Sequence, residues 1–176
     1  MIAPPRRARG FTLLELLVVV VLLGILSAAA VLSVGNLGDD KELEEESIRL
    51  FRLLQLADEE AIMNGRDYGL YFEDNRYRFL RYVPESLEWQ PAQDDLFRDR
   101  QMPDGIWLSL VVEDREVALE LPDESEKIEP HVVILSSGEV TPFVISIARE
   151  FSQRETLIEG LPDGRIELIE VDPDAF

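Results

Sequence analysis

Hydrophobic residues follow three different patterns along the chain, and each pattern predicts a different kind of structure. Residues 11–34 form a nearly continuous apolar run, and residues 40–63 repeat their apolar positions at helical spacing. Beyond Gly65 the apolar period falls to two, which is the period of β-strands. One long helix followed by many short strands predicts an α+β fold, in which antiparallel sheet packs on the helix.

The apolar run, residues 11–34, predicts a transmembrane helix. Its 24 residues contain no Pro, Lys or Arg, and at a rise of about 1.5 Å per residue such a helix is about 36 Å long. That length exceeds a bilayer core of about 30 Å. Arg6, Arg7 and Arg9 precede the run, and the next arginine is Arg49. The positive-inside rule therefore keeps the N-terminus in the cytoplasm and sends the rest of the chain across the membrane.

Glu15 is unusual within this run. A carboxylate at mid-membrane depth costs roughly 2.5–3.5 kcal/mol on insertion scales. Two ordinary interpretations, a plain signal anchor and a secretory signal cut after Ala28-Ala29-Ala30, give that charge no purpose. Its presence favours a membrane segment in which the acid has a specific cationic partner, because a buried carboxylate needs one.

Residues 35–65 predict an amphipathic continuation of the helix. Gly35 and Gly38 mark a bend ahead of it, and Gly65 follows its last residue, as glycine often does at a helix end. Its apolar stripe, at i, i+3, i+4 and i+7 spacing, consists of Leu43, Ser47, Leu50, Leu54 and Ala57, with Phe51, Ala61 and Ile62 beside them.

Residues 66–176 predict a β-rich globular domain. Tyr68–Phe72 and Tyr77–Tyr82 flank a polar turn and predict a hairpin, whereas the Pro-containing stretch from residue 84 to residue 105 predicts mostly loop. Trp107 lies in an apolar run and is expected in the core. Further strands are predicted at Trp107–Val112, Val117–Leu121, Val132–Leu135, Phe143–Ala148, Thr156–Glu159 and Ile166–Val171, with a turn at Glu113-Asp114-Arg115.

Composition argues against several classes of function. The chain has 17 basic and 36 acidic residues; without residues 1–10, which hold three arginines, 14 basic and 36 acidic residues remain, a net charge of −22. Such a charge repels phosphate backbones, so no nucleic-acid partner is expected. Cysteine is absent and His131 is the only histidine. Since no Gly-x-Ser-x-Gly elbow, phosphate-binding loop or EF-hand spacing occurs either, we predict no catalytic residue, no cofactor and no metal.

The start of the apolar run carries a specific motif. The string Arg-Gly-Phe-Thr-Leu-Leu-Glu, residues 9–15, resembles the class III signal of type IV prepilins and type II secretion pseudopilins. The resemblance implies that residues 1–10 are a leader, that a prepilin peptidase cuts between Gly10 and Phe11, and that Phe11 is then methylated. Gly10 suits a protease cleft because it lacks a Cβ. Glu15 would meet the new α-amine of a neighbouring subunit and set the filament register.

A second motif narrows the resemblance. The string Leu-Ser-Ser-Gly-Glu-Val-Thr-Pro-Phe, residues 135–143, resembles a segment of the H-type minor pseudopilins of type II secretion. Gly138 can adopt positive φ in its turn, and Pro142 removes a backbone donor near the start of a strand. The motif residues are Ser136, Ser137, Gly138, Glu139, Pro142 and Phe143.

The resemblance implies the pilin-like fold and a structural, non-enzymatic role. Such a subunit is a single-pass protein of the bacterial inner membrane, with its globular domain in the periplasm, where it joins the pseudopilus and links the tip complex to the shaft during export of folded proteins. Its implied partners are the major and other minor pseudopilins, the prepilin peptidase and the inner-membrane assembly platform, with the secretin and the secreted protein as further candidates. Two alternatives remain: a minor pilin of a type IV pilus or DNA-uptake system, and a signal-anchored periplasmic enzyme or binding protein.

Overall fold

A computed structural model describes residues 12–73, 75–92, 94–119, 127–149 and 154–171, with the backbone alone over residues 28–40. The chain forms one helix, α1, at Leu13–Asn64, and the rest of the described chain is β-structure. The strands are β1 Tyr68–Glu73, β2 Arg76–Val83, β3 Glu88–Pro91, β4 Arg100–Gln101, β5 Ile106–Val112, β6 Arg115–Glu116, β7 Val132–Ile134, β8 Phe143–Arg149, β9 Glu155–Gly160 and β10 Ile166–Val171. The α+β prediction is confirmed.

Both ends of α1 follow known capping chemistry. At the start, Thr12 Oγ1 accepts a hydrogen bond from the Glu15 N–H at 3.3 Å, and this Thr-x-x-Glu spacing is that of a capping box. At the other end, Gly65 has a φ of 62°, and the Arg66 N–H donates to the Ala61 carbonyl at 3.2 Å, which is the Schellman bond. The predicted helix end is therefore confirmed. Gly35 and Gly38 lie inside the helix, which continues through both.

The chain divides into two compact units, one ending at Asp39 and the other beginning at Asp40. In the second unit, the predicted apolar stripe of α1 is buried: Leu43, Ser47, Leu50, Leu54 and Ala57 are each at most 2% exposed. Ile62 is 53% exposed, so its predicted place in the stripe is wrong. In the last turn the buried position is taken by its neighbour Ala61.

The first sheet has the strand order β3-β2-β1-β7, and β4 pairs with β2 beside this path. The hairpin predicted from residues 68–82 is confirmed, with β1 and β2 paired antiparallel. The described residues from 84 to 105 are mostly loop, as predicted, but β3 and β4 form within this stretch and were not predicted. Both strands are short and polar, and β3 ends at Pro91, which a sheet tolerates only at an edge or strand end. Their formation follows from pairing with β2, a tertiary contact that strand periodicity does not report.

The second sheet has the strand order β10-β9-β8-β5-β6. Glu113 and Asp114 both have positive φ, 48° and 64°, and form a two-residue hairpin loop between β5 and β6. The strand predicted at residues 117–121 is therefore wrong: the tight loop starts the return strand at Arg115, inside the predicted turn, and residues 117–119 lie outside any strand. Residues 120 and 121 of that prediction lie outside the described residues.

The core of the second unit lies between α1 and the two sheets. Side chains of β8 alternate strictly, with Phe143, Ile145 and Ile147 buried, and they join the helix residues in one apolar cluster. The prediction that Trp107 lies in this core is wrong, because the indole is 56% exposed. Its neighbour Ile106 is buried instead, and alternation along β5 turns the tryptophan outward.

Candidate functional site

The first candidate surface is the apolar start of α1. Every described side chain from residue 12 to residue 27 is exposed. The large aliphatic side chains among them are between 43% and 85% exposed: Leu13, Leu14, Leu16, Leu17, Val18, Val19, Val20, Val21, Leu22, Leu23, Ile25 and Leu26. A helix that is apolar on all sides needs an apolar environment around it. Within the described residues, no helix combines the length and the apolar character needed to cross a membrane.

Glu15 lies at the third position of this helix. Its backbone N–H is bonded to Thr12, whereas its carboxylate has no ion pair within the described part of the chain. The helix N-terminus carries partial positive charge, so an acid in the first turn is favourably placed. The predicted processing residues, Gly10 and Phe11, lie outside the described residues.

The second candidate is the motif predicted at residues 135–143, which forms a tight turn between β7 and β8. The Gly138 N–H donates to the Leu135 carbonyl at 2.9 Å, and the Leu135 N–H donates to the Glu139 carbonyl at 2.8 Å. Gly138 has a φ of 86°, as its place in the motif predicted. Ser137 and Glu139 are exposed, and the serine hydroxyl donates to the glutamate carboxylate at 3.2 Å.

Three distant parts of the chain hold this turn. The Ser136 N–H donates to Asp67 Oδ1 at 2.8 Å, at the start of the first sheet. A Cβ built on Gly138 would lie 3.6 Å from Ile62 Cδ1, at the end of α1. A Cβ built on Gly164, in the β9–β10 turn, would lie 2.2 Å from the Gly138 carbonyl oxygen. The turn therefore acts as a clip that joins the helix end, the first sheet and the second sheet.

The Pro-Phe end of the motif belongs to the second sheet. The Pro142 carbonyl accepts from the Glu113 N–H at 3.0 Å, which ties the β5–β6 loop to the start of β8. Phe143 is 2% exposed. Gly160 lies opposite it in β9, and a Cβ there would lie 2.1 Å from the phenyl ring. The motif residues are thus brought together by the fold, and most of them are structural.

It was not predicted from the sequence that Asp67, Gly160 and Gly164 contact the motif at residues 135–143. Gly164 follows Pro162-Asp163, a sequence typical of a turn, but nothing in it indicates contact with a second turn. Asp67 follows the helix end by only a few residues, where an acid is common and carries no distinguishing signal. Their roles depend on contacts between segments far apart in the chain.

His131 has a structural role. Its Nδ1 accepts a hydrogen bond from the Phe72 N–H at 3.1 Å, and its ring stacks on Tyr71 with centroids 4.7 Å apart. Burial lowers the pKa of His131, because desolvation disfavours the imidazolium. Its Nδ1 is already engaged with the backbone. Among the described residues, no three acidic or histidine side chains are grouped so that they would hold a metal ion.

Comparison with known proteins gives consistent matches over most of the chain. Residues 46–164 match the family described as type II transport protein GspH, and residues 5–31 match the prokaryotic N-terminal methylation motif. The chain is 33% identical over 171 residues to type II secretion system protein H of Pseudomonas aeruginosa, covering 94% of this chain and 98% of that protein. It is 32% identical over 151 residues to the protein of the same name from Aeromonas hydrophila, covering 82% of each.

A solved structure has the same fold. The crystal structure of the minor pseudopilin EpsH from the type II secretion system of Vibrio cholerae superposes with a TM-score of 0.62 and 26% sequence identity, covering 73% of this chain and 94% of that one. The pilin-like fold that the resemblance implied is therefore confirmed.

Proposed function

From the premise that this chain belongs to the type II transport protein GspH family, we propose how it works as a minor pseudopilin of type II secretion. The chain links a tip complex of minor subunits to the shaft of major subunits in a short periplasmic filament. Its chemistry is binding, and it catalyses no reaction. The observation that carries this proposal is the helix start that is apolar on all sides and exposed from Leu13 to Leu26, with one acid in its first turn.

Burial of this helix start favours the membrane and the filament over exposure of the helix to water. Fully burying one Val, Leu or Ile side chain contributes about 1.5–3 kcal/mol relative to leaving it in water. In a membrane the lipid provides that environment, and in a filament the helices of neighbouring subunits provide it. The same surface therefore supports two states, a membrane-anchored precursor pool and an assembled filament. In the first state, the helix anchors the chain in the inner membrane in a single pass, with its N-terminus in the cytoplasm and the β-rich domain in the periplasm.

Glu15 gives the assembly its register. Cleavage after Gly10 creates an α-amine at Phe11, and methylation leaves that amine cationic. A carboxylate moved out of water must be paired to avoid a large desolvation penalty. The Glu15 carboxylate, without an ion pair in the described part of its own chain, is a suitable partner for the amine of an adjacent subunit. The match of residues 5–31 to a methylation motif supports this processing.

The proposed role in the filament also implies the other proteins that this chain meets. A prepilin peptidase processes the leader, an inner-membrane platform adds the subunit, and the major and other minor pseudopilins surround it in the filament. The secretin and the secreted protein meet the filament at its outer end. The 36 acidic residues against 17 basic ones make a nucleic-acid partner unfavourable.

The decisive experiment is the intact mass of the membrane-extracted protein from cells with and without prepilin peptidase. We expect a chain that begins at Phe11 and carries one added methyl group only when the peptidase is present. A chain that begins at Met1, or that is cut after Ala30, in both strains would refute the processing and the filament role together.

A charge-neutral substitution separates processing from assembly. Glu15→Gln keeps the shape of the side chain but removes its charge, so we expect normal insertion and cleavage with poor incorporation into the filament. Glu44→Gln is the matched control, because Glu44 is an exposed acid on the same helix. Equal secretion by the two variants would contradict the role of Glu15 in register.

A further inference from the structure

The outward face of the second sheet is the strongest unassigned surface of the described chain. Because Phe143, Ile145 and Ile147 of β8 are buried, the alternate residues Val144, Ser146 and Ala148 point to the opposite side. The strand register extends this side across the sheet. We call it the outer face, and its residues are Trp107, Ser109 and Val111 of β5, Glu116 of β6, Val144, Ser146 and Ala148 of β8, Glu155, Leu157 and Glu159 of β9, and Glu167, Ile169 and Val171 of β10.

The centre of the outer face carries no charge and combines apolar side chains with two serines. Ser109, Ser146, Leu157 and Ile169 lie in one row across four strands, and the neighbouring row starts with Trp107 opposite Ala148. Trp107 is 56% exposed and Ile169 is 39% exposed. Tryptophan is enriched at the energetic centres of protein interfaces, and an apolar sheet face that remains open to water typically marks a binding surface.

The charged residues of the outer face all have the same sign. In the five described strands of this sheet, the outer face carries the carboxylates of Glu116, Glu155, Glu159 and Glu167 and no Lys or Arg. Glu159 and Glu167 lie directly opposite each other in the register of β9 and β10. Like charges in that position destabilise a sheet.

Among the described residues, one basic side chain, Arg165, partly offsets the repulsion between Glu159 and Glu167. Arg165 Nη1 lies 3.3 Å from Glu167 Oε1, but both side chains are largely exposed, which makes the pair weak. Glu155 is engaged differently, as the acceptor of a hydrogen bond from the Ser146 hydroxyl. The repulsion between the Glu159 and Glu167 carboxylates raises the free energy of the unbound subunit. A cationic side chain of another molecule, placed between them, would remove that repulsion.

The identity of the occupant follows from charge. A second copy of this chain would bring the same four carboxylates to the contact, and the whole chain carries a net charge of −19. Like-charge juxtaposition at an interface suppresses such pairing. Anionic lipid headgroups and nucleic acids are unsuitable for the same reason. The complementary surface is a protein patch with an apolar centre and Lys or Arg at its rim.

We propose that the outer face docks the globular domain of a different pilin-like subunit in the same filament, one that offers such a patch. Trp107 is the apolar anchor of the contact, and Glu159 with Glu167 receives a basic side chain of the partner. This inference rests on the proposed function, because only assembly brings another subunit beside the sheet. In this proposal the second sheet determines which subunit binds beside this one. The apolar helix start packs against the helices of all neighbouring subunits and does not distinguish between them.

Site-specific photo-crosslinking of the full chain in secreting cells tests the contact. A photoreactive residue replaces Ser109, which is exposed on the outer face beside Trp107; a second chain carries it at Leu87, which is 75% exposed outside this sheet. A third chain carries it at Leu17 in the helix start and reports on assembly itself. Each of the other pseudopilins of the same machine is tagged in turn, so that an adduct is identified by its tag.

We expect position 109 to give an adduct with one tagged pseudopilin of another type, and position 87 to give at most a tenth of that yield. An adduct at 109 with a second copy of this chain, or none at 109 while position 17 crosslinks, overturns the docking proposal and leaves the proposed function standing. Absence of adducts at both 17 and 109 removes the filament role, and the docking proposal falls with it.

Two substitutions separate docking from folding. Glu159→Gln with Glu167→Gln removes the opposed charges, so we expect the melting temperature to stay equal or rise while the yield at position 109 falls about tenfold. Exposed acids outside the sheet, changed as Glu85→Gln with Asp95→Asn, give the matched control and should leave the yield unchanged. Trp107→Ser should lower the yield at least as far. An unchanged yield in both the double and the tryptophan variant would overturn the proposal.

Discussion

Replacing Gly164 by alanine tests whether the clip at residues 135–143 depends on the β9–β10 turn. Gly164 has a φ of 85°, in the left-handed region, where an alanine costs roughly 1–2 kcal/mol. Its new Cβ would also lie 2.2 Å from the carbonyl oxygen of Gly138. That oxygen belongs to the backbone, so the two turns must separate, and overpacking of this kind costs typically about 1–3 kcal/mol more. We therefore expect a total destabilisation of about 2–5 kcal/mol.

Two other glycines make the comparison specific. Gly105 and Gly138 have φ of 80° and 86°, so alanine at either position has the same conformational cost as alanine at Gly164. The nearest atom to a Cβ on Gly105 is Arg149 Nη1, at 3.8 Å, and on Gly138 it is Ile62 Cδ1, at 3.6 Å. Both are ordinary van der Waals distances to side chains. We expect Gly105→Ala and Gly138→Ala to cost about 1–2 kcal/mol each, which is the conformational cost alone.

Chemical denaturation measures all three variants. The full chain is unfolded with guanidinium in a mild detergent, and tryptophan fluorescence follows the transition. The difference in unfolding free energy between Gly164→Ala and Gly105→Ala isolates the contact with Gly138. If the three variants lose the same stability within about 0.5 kcal/mol, the two turns do not touch and the clip as described is wrong.

Three further perturbations address other contacts. Gly160→Ala should unfold the second sheet, because the new Cβ would lie 2.1 Å from the ring of buried Phe143. A combined Gly160→Ala and Phe143→Leu variant should recover part of the lost stability in the same denaturation assay. If it recovers none, the steric explanation is refuted. Asp67→Ala should cost about 1–3 kcal/mol, because it removes the acceptor of the 2.8 Å bond from the Ser136 N–H; Asp67→Asn retains an acceptor oxygen and should cost less. Burial lowers the pKa of His131 below its ordinary 6.5, so the folded state binds fewer protons than the unfolded state. Its contribution to stability is complete above pH 6.5 and is lost as the pH falls through the folded-state pKa; His131→Gln should flatten the stability profile in that range, and an unchanged profile would contradict the assignment.

Prediction from sequence worked where a local rule controls the structure. The amphipathic half of α1 was predicted from the period of its apolar residues. The positive φ of Gly138 was predicted from its place in a turn sequence. Both features depend on residues only a few positions apart in the chain. The helix end at Gly65 followed from the same kind of local chemistry.

Prediction failed where pairing with a distant strand determines the local structure. β3 and β4 are polar segments that become strands only against β2, and the β5–β6 loop is set by two consecutive non-glycine residues with positive φ. Trp107 was misplaced by one step of alternation, because an apolar run does not show which of its residues faces inward. Glu15 was recognised as a candidate site from its position, but the partner proposed for it belongs to another molecule, and a single chain cannot test that pairing.

The clip also determines when the subunit can finish folding. Ser136 and its acceptor Asp67 are 69 residues apart, and the contact with Gly164 needs the β9–β10 turn in place. Closing such long loops costs chain entropy before any contact repays it. Because a chain is synthesised from its N-terminus, α1 and the first hairpin are made early, but the clip cannot close until residue 164 is available. The globular domain is thus completed late in synthesis, and a chain interrupted before residue 164 lacks the closed clip between its helix and its two sheets.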